Sequence, residues 1–366
     1  MRKKIIFFAP NIEDGGIEKN IILLSDYFIK QNNSVQIVYS KLSNKIKKKL
    51  NKKLILTKSK FNMNFYFNNR INNSINCFFY LLMNIKKEKN SVILSFQDHP
   101  FSIITGLFKR IPCIIRIANH PLGSLSYFNN KISFLLKIFI KLFFYQFSSI
   151  IISNSLSSTN FFKKYIFNSN KCLTIYNPIK LENNLKKYKR NKNILLSIGR
   201  LHKQKNFDCL IKSMAIISKQ KKNIKLIILG KGQEKKKLIK LCSRFNLTKK
   251  IQFLNFKDPK KFYKRSGIFV LSSFFEGLPN VLLESMSYGL PIVSTNCYSG
   301  PKEILKNNKY GYLCKVNDHR DLAKKILFVN NNYKDALFKI ENGRKNLSMY
   351  DYNIQCKKYI RTIYSL

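Results

Sequence analysis

The stretch VLSSFFEGLPNVLLESMSYGLPIVST, residues 270–295, decides how the chain folds. VLSS is the end of a short apolar run, and PIVST is another. Apolar runs of this length, with no alternation, suit parallel strands buried on both faces. Between them NVLLESMSYG reads as a helix, with Pro279 at a favoured first-turn position and Gly289 at the stop. The unit is therefore strand–loop–helix–strand. It also holds two carboxylates, Glu276 in the loop and Glu284 about one and a half turns into the helix. That is unexpected in a chain with 68 Lys plus Arg, 18 Asp plus Glu and a formal net charge of +50. The stretch Leu278, Pro279, Asn280 and Val281 lies at a helix start, where the backbone N–H groups of its non-proline residues can meet an anion. A carboxylate on each side of that place suits a ligand with hydroxyls flanking a phosphate. The plainer readings are a solvated helix residue for Glu284 and a helix-dipole partner for Glu276.

The same rhythm extends outward. NILLSIGR (193–200), IKLIILGKG (224–232), IQFLNF (251–256) and GIFVLSS (267–273) read as strands, each followed by a helical pattern. After the first of them, Phe207, Leu210, Ile211 and Met214 fall at i, i+3, i+4 and i+7, one apolar helix face. The first half shows IIFFA (5–9), SVQIVYS (34–40), SVILSF (91–96), CIIRIA (113–118) and SIIIS (149–153). Two successive βα series in 366 residues predict an α/β protein of two doubly wound, Rossmann-like domains. The expected boundaries are 1–182, a polar linker 183–192, and 193–348.

Composition narrows the function classes. A hydrophobic fraction of 45% excludes a disordered basic tail. Eight cysteines without a CxxC pair read as reduced, buried thiols of a cytoplasmic protein. The first apolar run ends at Pro10, too early for a secretory signal. The charge is read in two ways, as compositional drift on solvated faces or as a sign of an anionic partner. Against nucleic acid, no recognition-helix, zinc or RRM-type signature appears. Residues 132–152 are apolar enough to suggest a membrane span, but Lys137 and Lys141 sit mid-segment at a cost of about 2.5–3.5 kcal/mol each. The expectation is a largely buried helix followed by a strand. The alternative is a helix lying in a membrane interface.

Two more strand ends carry candidate chemistry. NIEDGGIEKN (11–20) places Gly15 and Gly16 before a helix, where backbone can approach an anion closely. SIGRLHKQKNF (197–207) opens a tight loop at Gly199 and brackets it with Arg200 and Lys205, a plausible diphosphate clamp. Each motif alone is weak.

Together they resemble a known family. EGLPNVLLESMSYGLPIVST looks like the E-x7-E signature of glycosyltransferase family 4, retaining enzymes with the GT-B fold. IGRLHKQKNF is similar to that family's G-R-x-x-x-x-K-N loop, GGIEK to its N-terminal G-G-x-E-[KR] turn, and SGPKEIL (299–305) to a segment of members that build lipopolysaccharide, capsule and glycan chains. The resemblance implies that Arg200 and Lys205 hold a donor diphosphate, that Glu276 binds donor-sugar hydroxyls beside the Gly277–Val281 amides, and that Glu284 binds the ribose. Gly16 would bring its amide to the diphosphate, and a helix at about 349–366 would pack back on the first domain. His120 or Asn119, in IRIANHPLGS, would stand near the reacting sugar, with His99 a weaker rival and His202 and His319 surface groups. No DxD metal motif is visible, so the implied reaction uses no metal and no cofactor. The expected partners are a UDP-sugar and a lipid-linked glycan acceptor, with peripheral contact to an anionic inner membrane face. The competing readings are another GT-B enzyme, such as a sugar-nucleotide epimerase, and a basic nucleic-acid binder.

Overall fold

The structure, a computed structural model, describes residues 2–13, 16–64, 67–86, 88, 90–123, 131–182, 188–255 and 258–366. The chain forms two compact units. One comprises Met1–Pro121, Phe128–Pro178 and Tyr352–Leu366, the other Leu122–Tyr127 and Ile179–Asp351.

In the first unit seven parallel strands lie in the order Ile55–Lys58, Ser34–Tyr39, Lys4–Phe8, Ser91–Ser95, Cys113–Ile117, Ile150–Ser153, Cys172–Thr174. Lys4–Phe8 shows why an unbroken apolar run is needed. Ile5 and Phe7 enter the core on one face of the sheet, while Ile6 and Phe8 enter the core on the other. The helix Tyr352–Tyr364 joins this unit from far along the chain, placing Cys356, Tyr359 and Ile363 in the first of those cores.

The second unit repeats the plan with six parallel strands. Their order is Ile251–Leu254, Lys225–Leu229, Asn191–Ile198, Ser266–Leu271, Ile292–Thr295, Tyr312–Cys314. Its first strand starts at Asn191, inside the stretch expected to be linker, and 183–187 of that stretch lie outside the described residues. The helix Phe207–Gln220 turns Phe207, Leu210, Ile211 and Met214 into the core, as the spacing predicts. All eight cysteines are buried and free.

Two expectations are corrected. Pro279 caps the helix Asn280–Ser287 rather than opening it, with an extended ψ of 103°. The helix Lys131–Tyr145 is largely exposed, not largely buried. Its apolar residues outnumber those that one helix flank can bury. Among its described side chains only Phe134 and Tyr145 are buried, with Leu142 and Phe144 packed partly against the core.

Candidate active site

Strand order places the loops. In the second unit the chain winds one way from Asn191–Ile198 and the other way from Ser266–Leu271, and these two strands are neighbours. Ligands of open α/β sheets bind beyond the carboxyl ends of strands at such a switch point. The loops that leave it are Gly199–Asn206, with Gly199, Arg200 and Lys205, and Ser272–Pro279, with Glu276, Gly277, Leu278 and Pro279; Asn280, Val281 and Glu284 follow in the helix Asn280–Ser287.

Four contacts stitch these loops together. Phe274 N donates to Gln204 O at 2.9 Å, and Gln204 Nε2 donates to Phe275 O at 2.9 Å. Ser272 Oγ donates to Lys205 O at 2.8 Å. Lys205 Nζ lies 2.5 Å from Glu276 Oε1 in an ion pair whose side chains are 16% and 8% exposed. The Lys205 stem runs across Gly199, where an added Cβ would meet three of its carbons at 3.3 Å. Arg200 is exposed, beside this pair in sequence.

The two acids are aimed by buried hydroxyls. Ser273 Oγ donates to Glu276 Oε1 at 2.6 Å, and Thr295 Oγ1 anchors Ser273 by donating to its carbonyl at 2.7 Å. Lys205 and Ser273 both donate to Oε1 of Glu276. Tyr263 Oη donates to Glu284 Oε2 at 3.1 Å. Tyr263 is itself fixed by stacking on Tyr288, ring centroids 5.1 Å apart. Ser272, Ser273 and Tyr263 escaped the sequence reading, because a buried hydroxyl carries no periodic signature. The one available signal was that LSS immediately precedes the candidate loop.

The loop backbone has its own support. Gly277 and Leu278 are buried, as is Pro279, and Gly300 N donates to Gly277 O at 2.8 Å. A Cβ on Gly300 would fall 2.2 Å from that oxygen and 2.5 Å from Pro279 Cδ. Gly300→Ala should therefore push the Glu276–Pro279 loop out of place and lower kcat/KM by about 10²-fold, the scale of a 1 Å misplacement. Steady-state kinetics beside a thermal unfolding curve checks this. Unchanged kcat/KM would sink it.

The first unit has a corresponding switch point between Lys4–Phe8 and Ser91–Ser95. There Asn11 N donates to Gln97 Oε1 at 3.1 Å and Gln97 Nε2 donates back to Asn11 O at 2.9 Å. Gly16 is the first residue of the helix Gly16–Lys30. Gly15 lies outside the described residues. Gly16 is exposed, and a Cβ there would meet nothing within 4 Å, so packing does not explain it. Asn119 is exposed and His120 buried. The His120 ring stands edge-on to Phe161, centroids 5.5 Å apart, and burial pushes its pKa down to about 4, so the imidazole is neutral near pH 7. His99 is a satisfied interior histidine. Ser95 Oγ lies 2.8 Å from its Nδ1, and burial lowers its pKa to about 3.

The chain is similar to known proteins. An uncharacterised glycosyltransferase of Methanocaldococcus jannaschii is 45% identical over 113 residues, which are 31% of this chain and 28% of that protein. The chain thus spans less than a third of the length of that curated relative. A Campylobacter jejuni protein named GalNAc-α-(1→4)-GalNAc-α-(1→3)-diNAcBac-PP-undecaprenol α-1,4-N-acetyl-D-galactosaminyltransferase is 27% identical over 355 residues, 94% of this chain and 91% of that one. The crystal structure of Anabaena HepE in complex with UDP and glucose matches with a TM-score of 0.80 at 17% identity, covering 100% of both chains. The chain has the GT-B fold, and its residues 181–346 match the family model described as glycosyl transferases group 1.

Proposed function

We propose that the protein is a retaining, metal-independent glycosyltransferase of family 4 type. It moves a hexose or N-acetylhexosamine from a UDP-sugar to a lipid-linked glycan, as a peripheral protein at the cytoplasmic face of the membrane, in cell-surface polysaccharide synthesis. The observation that carries this reading is the Lys205–Glu276 pair at the second unit's switch point, inside the matched glycosyl transferases group 1 region. The UDP and glucose of the HepE complex support the donor class, and the undecaprenol-diphosphate substrate in the Campylobacter protein's name supports the acceptor class.

The chemistry follows from charge. Cleavage of the anomeric C–O bond leaves negative charge on the nucleoside diphosphate and positive character on the sugar. Preorganised cations on the diphosphate stabilise that state most, and Lys205 and Arg200 fill the role. Glu276, held by Ser273, accepts a sugar hydroxyl, while Glu284, held by Tyr263, accepts from the ribose. The acceptor oxygen attacks from the face the diphosphate leaves, its proton passing to the departing phosphate oxygen, so configuration is retained.

The test is a screen of nucleotide-sugar donors against lipid-diphosphate-linked acceptors, with and without EDTA. Transfer from a UDP-sugar that persists in EDTA is the expected result. Loss of activity that magnesium restores would overturn metal independence. Conversion of the donor sugar without acceptor would assign an epimerase instead.

A further inference from the structure

The helix Lys131–Tyr145 carries an apolar stripe that its own unit does not cover. Ile132, Leu135, Leu136, Phe139, Ile140 and Phe143 are all exposed, Ile132 to 81% and Phe139 to 69%. At 100° per residue their spacing gathers them on one face about 140° wide. A helix of a globular protein ordinarily turns such a stripe to the core, and this one turns it outward.

The stripe continues past the helix end through exposed Phe147. Gln146 donates from Nε2 to Tyr165 O and accepts at Oε1 from Phe167 N, both at 3.0 Å. These bonds seat Phe167, which is 95% exposed, beside that end. Cations flank the apolar surface. Lys137 is exposed at its edge, and the last turn of the helix Leu156–Tyr165 adds exposed Lys163 and Lys164. Lys141 lies on the opposite side of the helix, where Asp98, Arg70 and Lys137 act on it. The stripe therefore runs uninterrupted by charge, on a helix with no acidic residue.

The geometry points to this stripe, extended by Phe147 and Phe167, as a docking face for an anionic lipid surface, with the helix lying in the plane of the interface. Charge selects the occupant. A second copy of the chain would bring another +50 and be repelled, whereas anionic headgroups complement the flanking lysines. The described helix has 15 residues and reaches about 22 Å against a hydrocarbon core of about 30 Å. Among the described residues no helix is long and apolar enough to cross a membrane. The inference supplies a surface for the membrane association proposed above. Its test needs no turnover, so its failure is distinct from failure of the transfer reaction.

The experiment is flotation with phosphatidylcholine vesicles, with and without phosphatidylglycerol, at low and high salt. The intact protein should float with phosphatidylglycerol vesicles and less so in high salt. Leu136→Glu/Phe139→Glu should cut partitioning by about tenfold or more at an unchanged unfolding midpoint. Should the double variant unfold, Phe167→Ser, at an almost fully exposed loop position, is expected to weaken flotation in the same direction. Equal flotation of protein and folded variants, or no preference for phosphatidylglycerol, overturns the proposal. A dimer on size exclusion that the double variant dissolves would overturn it too, assigning the stripe to a second copy.

Discussion

Replacing Lys205 by alanine should lower kcat by about 10²–10³-fold, the scale on which one preorganised electrostatic group contributes to a transition state. The donor's KM should move far less, because in the proposed reaction the charge that Lys205 meets is largest once the diphosphate is leaving. The ion pair adds a second consequence. Lys205 supplies the cation 2.5 Å from a Glu276 that is 8% exposed, so its loss also strands a buried carboxylate. Glu276→Ala and Lys205→Ala should therefore be non-additive, the double variant being little worse than the poorer single one. Steady-state kinetics on all three variants reads the coupling directly. Full turnover in Lys205→Ala would remove this pair from the active site and with it the support for the proposed function.

Arg116→Ala should cost about 3–5 kcal/mol of folding stability. Arg116 is 1% exposed within the first unit. Its Nε donates to Tyr359 Oη at 3.0 Å, its Nη2 to Asn177 Oδ1 at 2.5 Å, and its guanidinium lies 5.8 Å from the Phe96 ring centroid. Alanine would leave a cavity the size of a long side chain, strand the Tyr359 hydroxyl and take one donor from Asn177. Arg116→Met fills most of the volume and removes a buried charge, so it should cost clearly less. Urea unfolding of the two variants separates the terms. Equal losses would show that the hydrogen bonds alone matter, and no loss in either would refute the account.

The central strands were legible because a parallel strand buried on both faces must be apolar at every position, and IIFFA or SIIIS shows that in five letters. The outer strands Ile55–Lys58, Cys172–Thr174 and Tyr312–Cys314 were missed for the complementary reason. They are short and only partly buried, so nothing forces an apolar run. The helix Lys131–Tyr145 misled because composition reports how apolar a segment is, not which way its stripe faces. In the candidate site the charged residues stood out against a basic background, and Glu276 and Glu284 did so by rarity. Their aiming groups did not, because Ser273 and Tyr263 act through tertiary contacts that spacing cannot encode.

The return of the helix Tyr352–Tyr364 to the first unit sets an order on biosynthesis. As the chain leaves the ribosome, the strand that carries Arg116 emerges long before Tyr359, its hydrogen-bond partner 243 residues later. Until then one face of the first sheet lacks Cys356, Tyr359 and Ile363, and an apolar core stands open while the whole second unit is made. The unit that begins first is thus completed last. A nascent chain halted before residue 352 should hold a folded second unit beside an unfinished first one, a substrate for chaperones rather than half a protein.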